Sequence, residues 1–127
     1  MATQFALSGS YTAEPLDGVP SLDPSIGTPI EESMQLAYKT VVEAHLTTDA
    51  PATVAFGGVT NANVVILKVV SGKVKARLTS ADGATQAVPV DTVFILTSRS
   101  VPVTAIDLTR VPATDTVVRV FLGEATS

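Results

Sequence analysis

The chain has no cysteine, no tryptophan and a single histidine, His45, among its 127 residues. Without thiols, disulfides and thiolate chemistry are excluded, and cysteine usage says nothing about redox compartment. One imidazole cannot build a multi-histidine metal site. Aromatic residues are scarce, four Phe and two Tyr. The core must therefore come from Val, Ile, Leu and Ala, whose β-branched members are stiff and suit a pleated sheet. Charge is sparse as well: 16% of residues are charged against 46% hydrophobic, whereas the surface of a small free domain carries roughly 25–35% charged residues. That deficit implies that a partner covers part of the surface.

The formal net charge of −4 and the isoelectric point near 4.7 argue against a nucleic-acid binder, which needs a basic stripe to displace counterions. Lys68, Lys73, Lys75 and Arg77 do cluster, at alternating positions of an expected hairpin. A solvated strand face that discourages edge pairing explains them, with contact to an acidic protein surface as the other reading. No apolar run approaches the ~20 residues of a membrane-spanning helix. The start, MATQFALSGS, lacks the basic-then-apolar order of a signal peptide. The expectation is a protein made and kept in the cytosol, or in an assembly formed there, without membrane or nucleic-acid partners.

At this length one domain with one core is expected. Residues 1–30 read as an N-terminal strand and proline-rich arm, and residues 31–127 as a β-sandwich domain. Thr3 to Tyr11 alternates. Between Glu14 and Pro29 stand Pro15, Pro20, Pro24 and Pro29, with Gly18 and Gly27, which forbids a regular helix or an interior strand. A structureless length of this kind suggests packing on a neighbouring subunit, or a loop folded back on its own sheet. Glu31 to Ala50 fits helical and strand spacing alike, and Thr40, Val41, Val42, Thr47 and Thr48 tip it to strand.

The remainder parses into short strands: Ala52 to Phe56, a central and doubly buried Ala62 to Val70, Lys73 to Ser80, Thr85 to Val88, Thr92 to Ser98, Val103 to Thr109 and Asp115 to Leu122. Gly57 Gly58, Ser71 Gly72 and the primed-turn signal Asp82 Gly83 punctuate them. The expected fold class is all-β, a jelly-roll-like antiparallel sandwich of about eight strands carrying an extended N-terminal proline-rich arm.

Residues that could carry chemistry are few. Glu43 lies two residues from His45 and would share its strand face, a weak carboxylate–imidazole pairing. Asp17, Asp23, Glu31 and Glu32 lack the spacing of a calcium loop. Asp91, Asp107 and Asp115 are explained by Asx turns. The glycine pairs open no helix and precede no Lys-Ser/Thr, so they are turns rather than a phosphate loop. No motif links Ser8, Ser71 or Ser98 to a base. The expectation is a protein that is not an enzyme and has no catalytic residue, cofactor or metal.

The segment from Ala52 to Gly123 resembles the small all-β structural proteins found among the virion genes of tailed bacteriophages. The likeness rests on Ser-Gly and Asp-Gly hairpins, the strand Val93 Phe94 Ile95 Leu96 Thr97 Ser98, the strand Pro102 to Leu108 and a Val-rich closing strand Val117 to Gly123. The resemblance implies a virion component such as a capsid decoration (cement) protein, commonly a trimer seated on the shell, or a minor head or tail protein. It carries over no functional residue. The resulting expectation is a homo-oligomer, a trimer first, bound to the major capsid protein on the capsid surface of a virion assembled in the host cytoplasm. The apolar residues of the first 30 positions, Phe5, Leu7, Leu16, Val19, Leu22 and Ile26, are the expected contacts. The alternatives are a tail, neck or fibre component, and a carbohydrate-binding β-sandwich module, the latter weakened because Tyr11 and Tyr38 are the only tyrosines.

Overall fold

A computed structural model of the chain describes residues 3–11 and 28–126, with side chains from Met34 onward together with that of Ala6. Within these limits the protein is all-β: β1 (Thr3–Tyr11), β2 (Thr28–Leu46), β3 (Ala52–Thr53), β4 (Val64–Ser71), β5 (Val74–Ser80), β6 (Thr85–Val90), β7 (Val93–Thr97), β8 (Val103–Arg110) and β9 (Thr116–Ala125). The stretch of ambiguous periodicity, Glu31 to Ala50, is strand through Leu46.

Two antiparallel sheets form. The larger has the order β1-β2-β9-β4-β7 and the smaller β3-β8-β5-β6. β2 pairs with β9, β3 with β8, β4 with β7 and β5 with β6. The chain is thus one long hairpin doubled on itself at β5–β6 and wound across two layers, held shut by the β4·β9 and β5·β8 ladders. This is the jelly-roll winding.

Alternation builds the core. Val65 and Leu67 of β4, Val118, Val120 and Leu122 of β9 and Leu46 of β2 form one cluster with Val74, Ala76 and Leu78 of β5, Val90 of β6, and Ile106 and Leu108 of β8. Each Val, Leu or Ile among them contributes roughly 1.5–3 kcal/mol by leaving water. The core is aliphatic, with Phe56 and Phe94 only partly buried at its margin.

Several local expectations change. β4 is central, but only Val64 to Leu67 are covered on both faces, Ile66 partly, while Lys68 and Val70 are exposed. The third strand shrinks to Ala52–Thr53, although the Val54 amide still donates to the Ile106 carbonyl at 2.9 Å. Pro89 lies inside β6, an edge strand whose partner is β5 alone, where a missing N–H costs no ladder bond. The β5–β6 turn is not the primed type: Gly83 takes φ of +88° while Ala113 is the one described non-glycine residue with positive φ, so Asp82 does not share it. The Asp82 carboxylate instead accepts from the Ala84 amide at 3.0 Å.

Candidate interaction surfaces

The two outer faces of the sandwich differ in kind. On the smaller sheet, Lys75, Arg77 and Thr79 of β5 lie in register with Thr109, Asp107 and Ala105 of β8 and with Pro89, Ala87 and Thr85 of β6. This is a wetted face of short and charged side chains. On the larger sheet, Val41 of β2, Phe121 of β9, Ile66 of β4 and Ile95 of β7 stand in one cross-strand row. Val41 is 70% exposed and Ile95 41%. Val93, 54% exposed, stands two residues from Ile95 on the same face of β7. The neighbouring row on the same face, Glu43, Arg119 and Lys68, is charged.

The middle of the apolar row, Phe121 and Ile66, is partly covered. Met34 and Leu36 of β2 are buried against Val64, with Ile66, Phe121 and Ala125 packed around them. The cover arises because β2 shifts register by one residue between Leu36 and Tyr38, which swings its first half onto the outer face. Before Leu36, β2 loses β9 and keeps only β1, from Thr3↔Leu36 to Tyr11↔Thr28. The result is a two-stranded ribbon continuing past the sheet. Phe5 and Leu7 lie on β1, but their side chains fall outside the described residues. Leu16, Val19, Leu22 and Ile26 also lie outside the described residues.

The basic cluster divides. Lys68 is on the larger sheet beside Arg119, whereas Lys75 and Arg77 are on the smaller sheet and Lys73 immediately precedes it. The sequence pattern places all four on one hairpin face, but the turn at Ser71–Gly72 carries the chain from one layer to the other.

At the β2 C-terminal end of the sandwich is a groove of about 570 Å³, lined by Asp49, Lys73, Val74, Lys75, Pro89, Val90, Asp91, Thr109, Arg110, Val111 and Pro112. Its floor is apolar, and Val74 and Val90 are buried. Arg110 is committed elsewhere: Nε donates to Asp49 Oδ1 at 2.9 Å and Nη1 to Asp115 Oδ1 at 2.6 Å, and its side chain is only 11% exposed. The Ala113 amide also donates to Asp49 Oδ1 at 3.1 Å. The Ala113 amide first and Arg110 second hold the Asp49 carboxyl below its usual range. Asp115 is therefore an ion-pair partner rather than an Asx turn. Asp107, likewise, sits inside β8 and accepts from the Thr53 hydroxyl at 2.8 Å.

Glu43 and His45 do share a face, with Nε2 and Oε1 2.9 Å apart, and Arg119 Nε donates to the other Glu43 oxygen at 3.1 Å. Arg119 first and His45 second lower the Glu43 pKa. All three side chains are at least 42% exposed, so the group is a solvated surface triad on the outer face of the larger sheet.

Sequence reasoning missed Asn63. Its buried amide donates to the Ser98 carbonyl at 2.8 Å and accepts from the Ala125 amide at 2.9 Å, tying the β7–β8 loop to the end of β9. Nothing in an isolated Asn announces such a role. Among the described residues no group of three or more His, Cys, Asp or Glu side chains could hold a metal ion. No family model, curated protein or solved structure matches this chain.

Proposed function

We propose that this chain is a non-enzymatic structural component of a bacteriophage virion, a capsid decoration (cement) protein that binds the major capsid protein as a homotrimer. The observation that carries the reading is the set of exposed apolar side chains on the outer face of the larger sheet, Val41 on β2 and Val93 and Ile95 on β7, beside the charged row Glu43, Arg119 and Lys68. Such a mixture of exposed apolar and charged side chains suits a face that seats on a larger body. The low overall charge points the same way. Jelly rolls also serve as lectin and cupin scaffolds, so the winding alone does not decide the function.

In this reading the apolar row packs on the shell, and the N-terminal arm, with Phe5, Leu7, Leu16, Val19, Leu22 and Ile26, adds contacts to adjoining subunits. A standard interface buries ~1,600 Å² in total. A clamp across neighbouring capsid subunits would raise the shell's resistance to internal pressure.

The test is binding to purified heads stripped of this protein. The intact chain should bind at a copy number comparable to that of the major shell protein, and Val41→Asp with Ile95→Asp should release it. A few copies per particle would move the protein to a vertex, neck or tail. Undiminished binding by the double variant would overturn the role of the apolar face.

A further inference from the structure

The groove at the end of the smaller sheet has an apolar floor, and the cations at its mouth are unevenly engaged. Arg110 is consumed by Asp49 and Asp115. Lys73 and Lys75 are exposed and both line the groove, Lys75 on β5 and Lys73 just before it. The other carboxylate lining the groove is Asp91. The opening thus offers two ammonium groups against one free carboxylate in a chain whose net charge is −4. Its natural occupant is an extended segment that pairs apolar side chains with carboxylates.

The chain contains such a segment. Residues 12–27, TAEPLDGVPSLDPSIG, hold Glu14, Asp17 and Asp23 and no Lys or Arg. Leu16-Asp17 and Leu22-Asp23 each set an apolar side chain beside a carboxylate, and Pro15, Pro20 and Pro24 restrict the backbone beforehand. A segment restricted in this way loses less freedom when it docks.

Register decides which groove it can reach. The groove lies beyond Leu46, since Asp49 lines it. The segment leaves from the Tyr11↔Thr28 pair at the far end of β2. From Leu46 to Leu36 is ten residues and from Leu36 to Thr28 another eight, together ~60 Å of strand at about 3.3 Å per residue. The register shift near Leu36 bends β2 but does not reverse it. A loop of sixteen residues anchored at both ends reaches at most about 27 Å from its base. A chain cannot fill its own groove.

We infer that segment 12–27 of one copy docks in the Lys73/Lys75 groove of a second copy, so that copies of this chain associate by passing arms to one another. The contact is heterologous, arm to groove, and closes only as a ring, which fits a trimer. It concerns contacts between copies and is tested on the free protein, so its failure leaves shell binding open, and failure to bind shells leaves it standing.

Sedimentation of the full-length chain at low salt should show a closed oligomer. Lys73→Glu with Lys75→Glu should weaken association at least about tenfold, as should Glu14→Lys with Asp17→Lys and Asp23→Lys, because each places like charges in contact. Combining both sets in one chain should restore association. Because the chain has no cysteine, Asp23→Cys with Lys75→Cys should form a disulfide under mild oxidation, appearing between chains on a non-reducing gel. A monomeric wild type, indifference to charge reversal, failure of the combined variant to reassociate, absence of the disulfide, or a disulfide closed within one chain would each overturn the inference.

Discussion

The Thr116 side chain occupies the space that a Cβ on Gly72 would need: a methyl group there would come within 2.3 Å of Thr116 Oγ1 and 2.7 Å of the Asp115 carbonyl oxygen. Gly72 takes φ of +82° where the chain passes from the larger sheet to the smaller. The Thr116 hydroxyl lies 3.1 Å from the Lys73 carbonyl and 3.0 Å from that of Thr114, locking the crossing to the start of β9. Gly72→Ala should therefore cost about 3 kcal/mol or more, combining left-handed strain of ~1–2 kcal/mol with backbone overlap. Gly83, at φ of +88° with no atom within 4 Å of where its methyl group would sit, is the internal comparison. Gly83→Ala should cost only ~1 kcal/mol. Urea unfolding of the two variants checks this, and equal losses would contradict it.

Acid should act through Asp49. Its carboxyl is held below the ordinary value by the Ala113 amide and by Arg110. A carboxylate with a depressed folded pKa adds stability that is fully present above its unfolded value, about 3.9, and is lost as pH falls through the lower folded value. The melting temperature of the wild type should fall below about pH 4. In Asp49→Asn that fall should be shallower, because the amide oxygen can still accept from Ala113 but no longer titrates. Parallel curves would assign the acid sensitivity elsewhere, Glu43 being the other depressed carboxyl among the described residues.

The apolar row separates binding from stability. Val41 is 70% exposed, so Val41→Asp removes little packing and should shift stability by no more than about 0.5 kcal/mol. Ile106, fully buried in the main core, should lose about 2–5 kcal/mol on Ile106→Ala. If Val41→Asp destabilised the isolated chain as strongly as Ile106→Ala, Val41 would be part of a core rather than of a docking face.

The pattern of these contacts explains what is legible in the sequence. Val74, Ala76 and Leu78 against Lys75 and Arg77 declare a half-buried strand, because a period of two is a local property. The closing β5–β6 hairpin is equally local. The pairing of β2 with β9 joins residues 70 to 89 apart, and that of β3 with β8 residues about 55 apart, an order of strands that no short window contains. The groove is hidden for the same reason, since Asp49, Lys73, Val90 and Arg110 come from four separate stretches. Adjacency in sequence groups Lys68 with Lys73 and does not reveal that Gly72 switches sheets. The buried Val64 reads as one more residue of a central strand, and only the β2 register shift shows what covers it.

That cover yields the last prediction. Leu36 lies across Gly123, where a Cβ would come within 2.7 Å of Leu36 Cδ1 and 3.1 Å of Cδ2. Leu36 is 1% exposed and, with Met34 and Val64, joins the base of the β1–β2 ribbon to the outer face of the larger sheet. The atoms in the way belong to the end of a flexible side chain, so Gly123→Ala should displace Leu36 rather than disrupt β9, at a cost of about 1–3 kcal/mol. The main cluster of Val65, Val120 and Ile106 lies on the opposite side of the sheet and should be unaffected. Limited proteolysis should then cut residues 28–36 faster than in the wild type while the rest of the chain stays resistant. Unchanged protection of this stretch would mean that something other than the Leu36 contact anchors the ribbon.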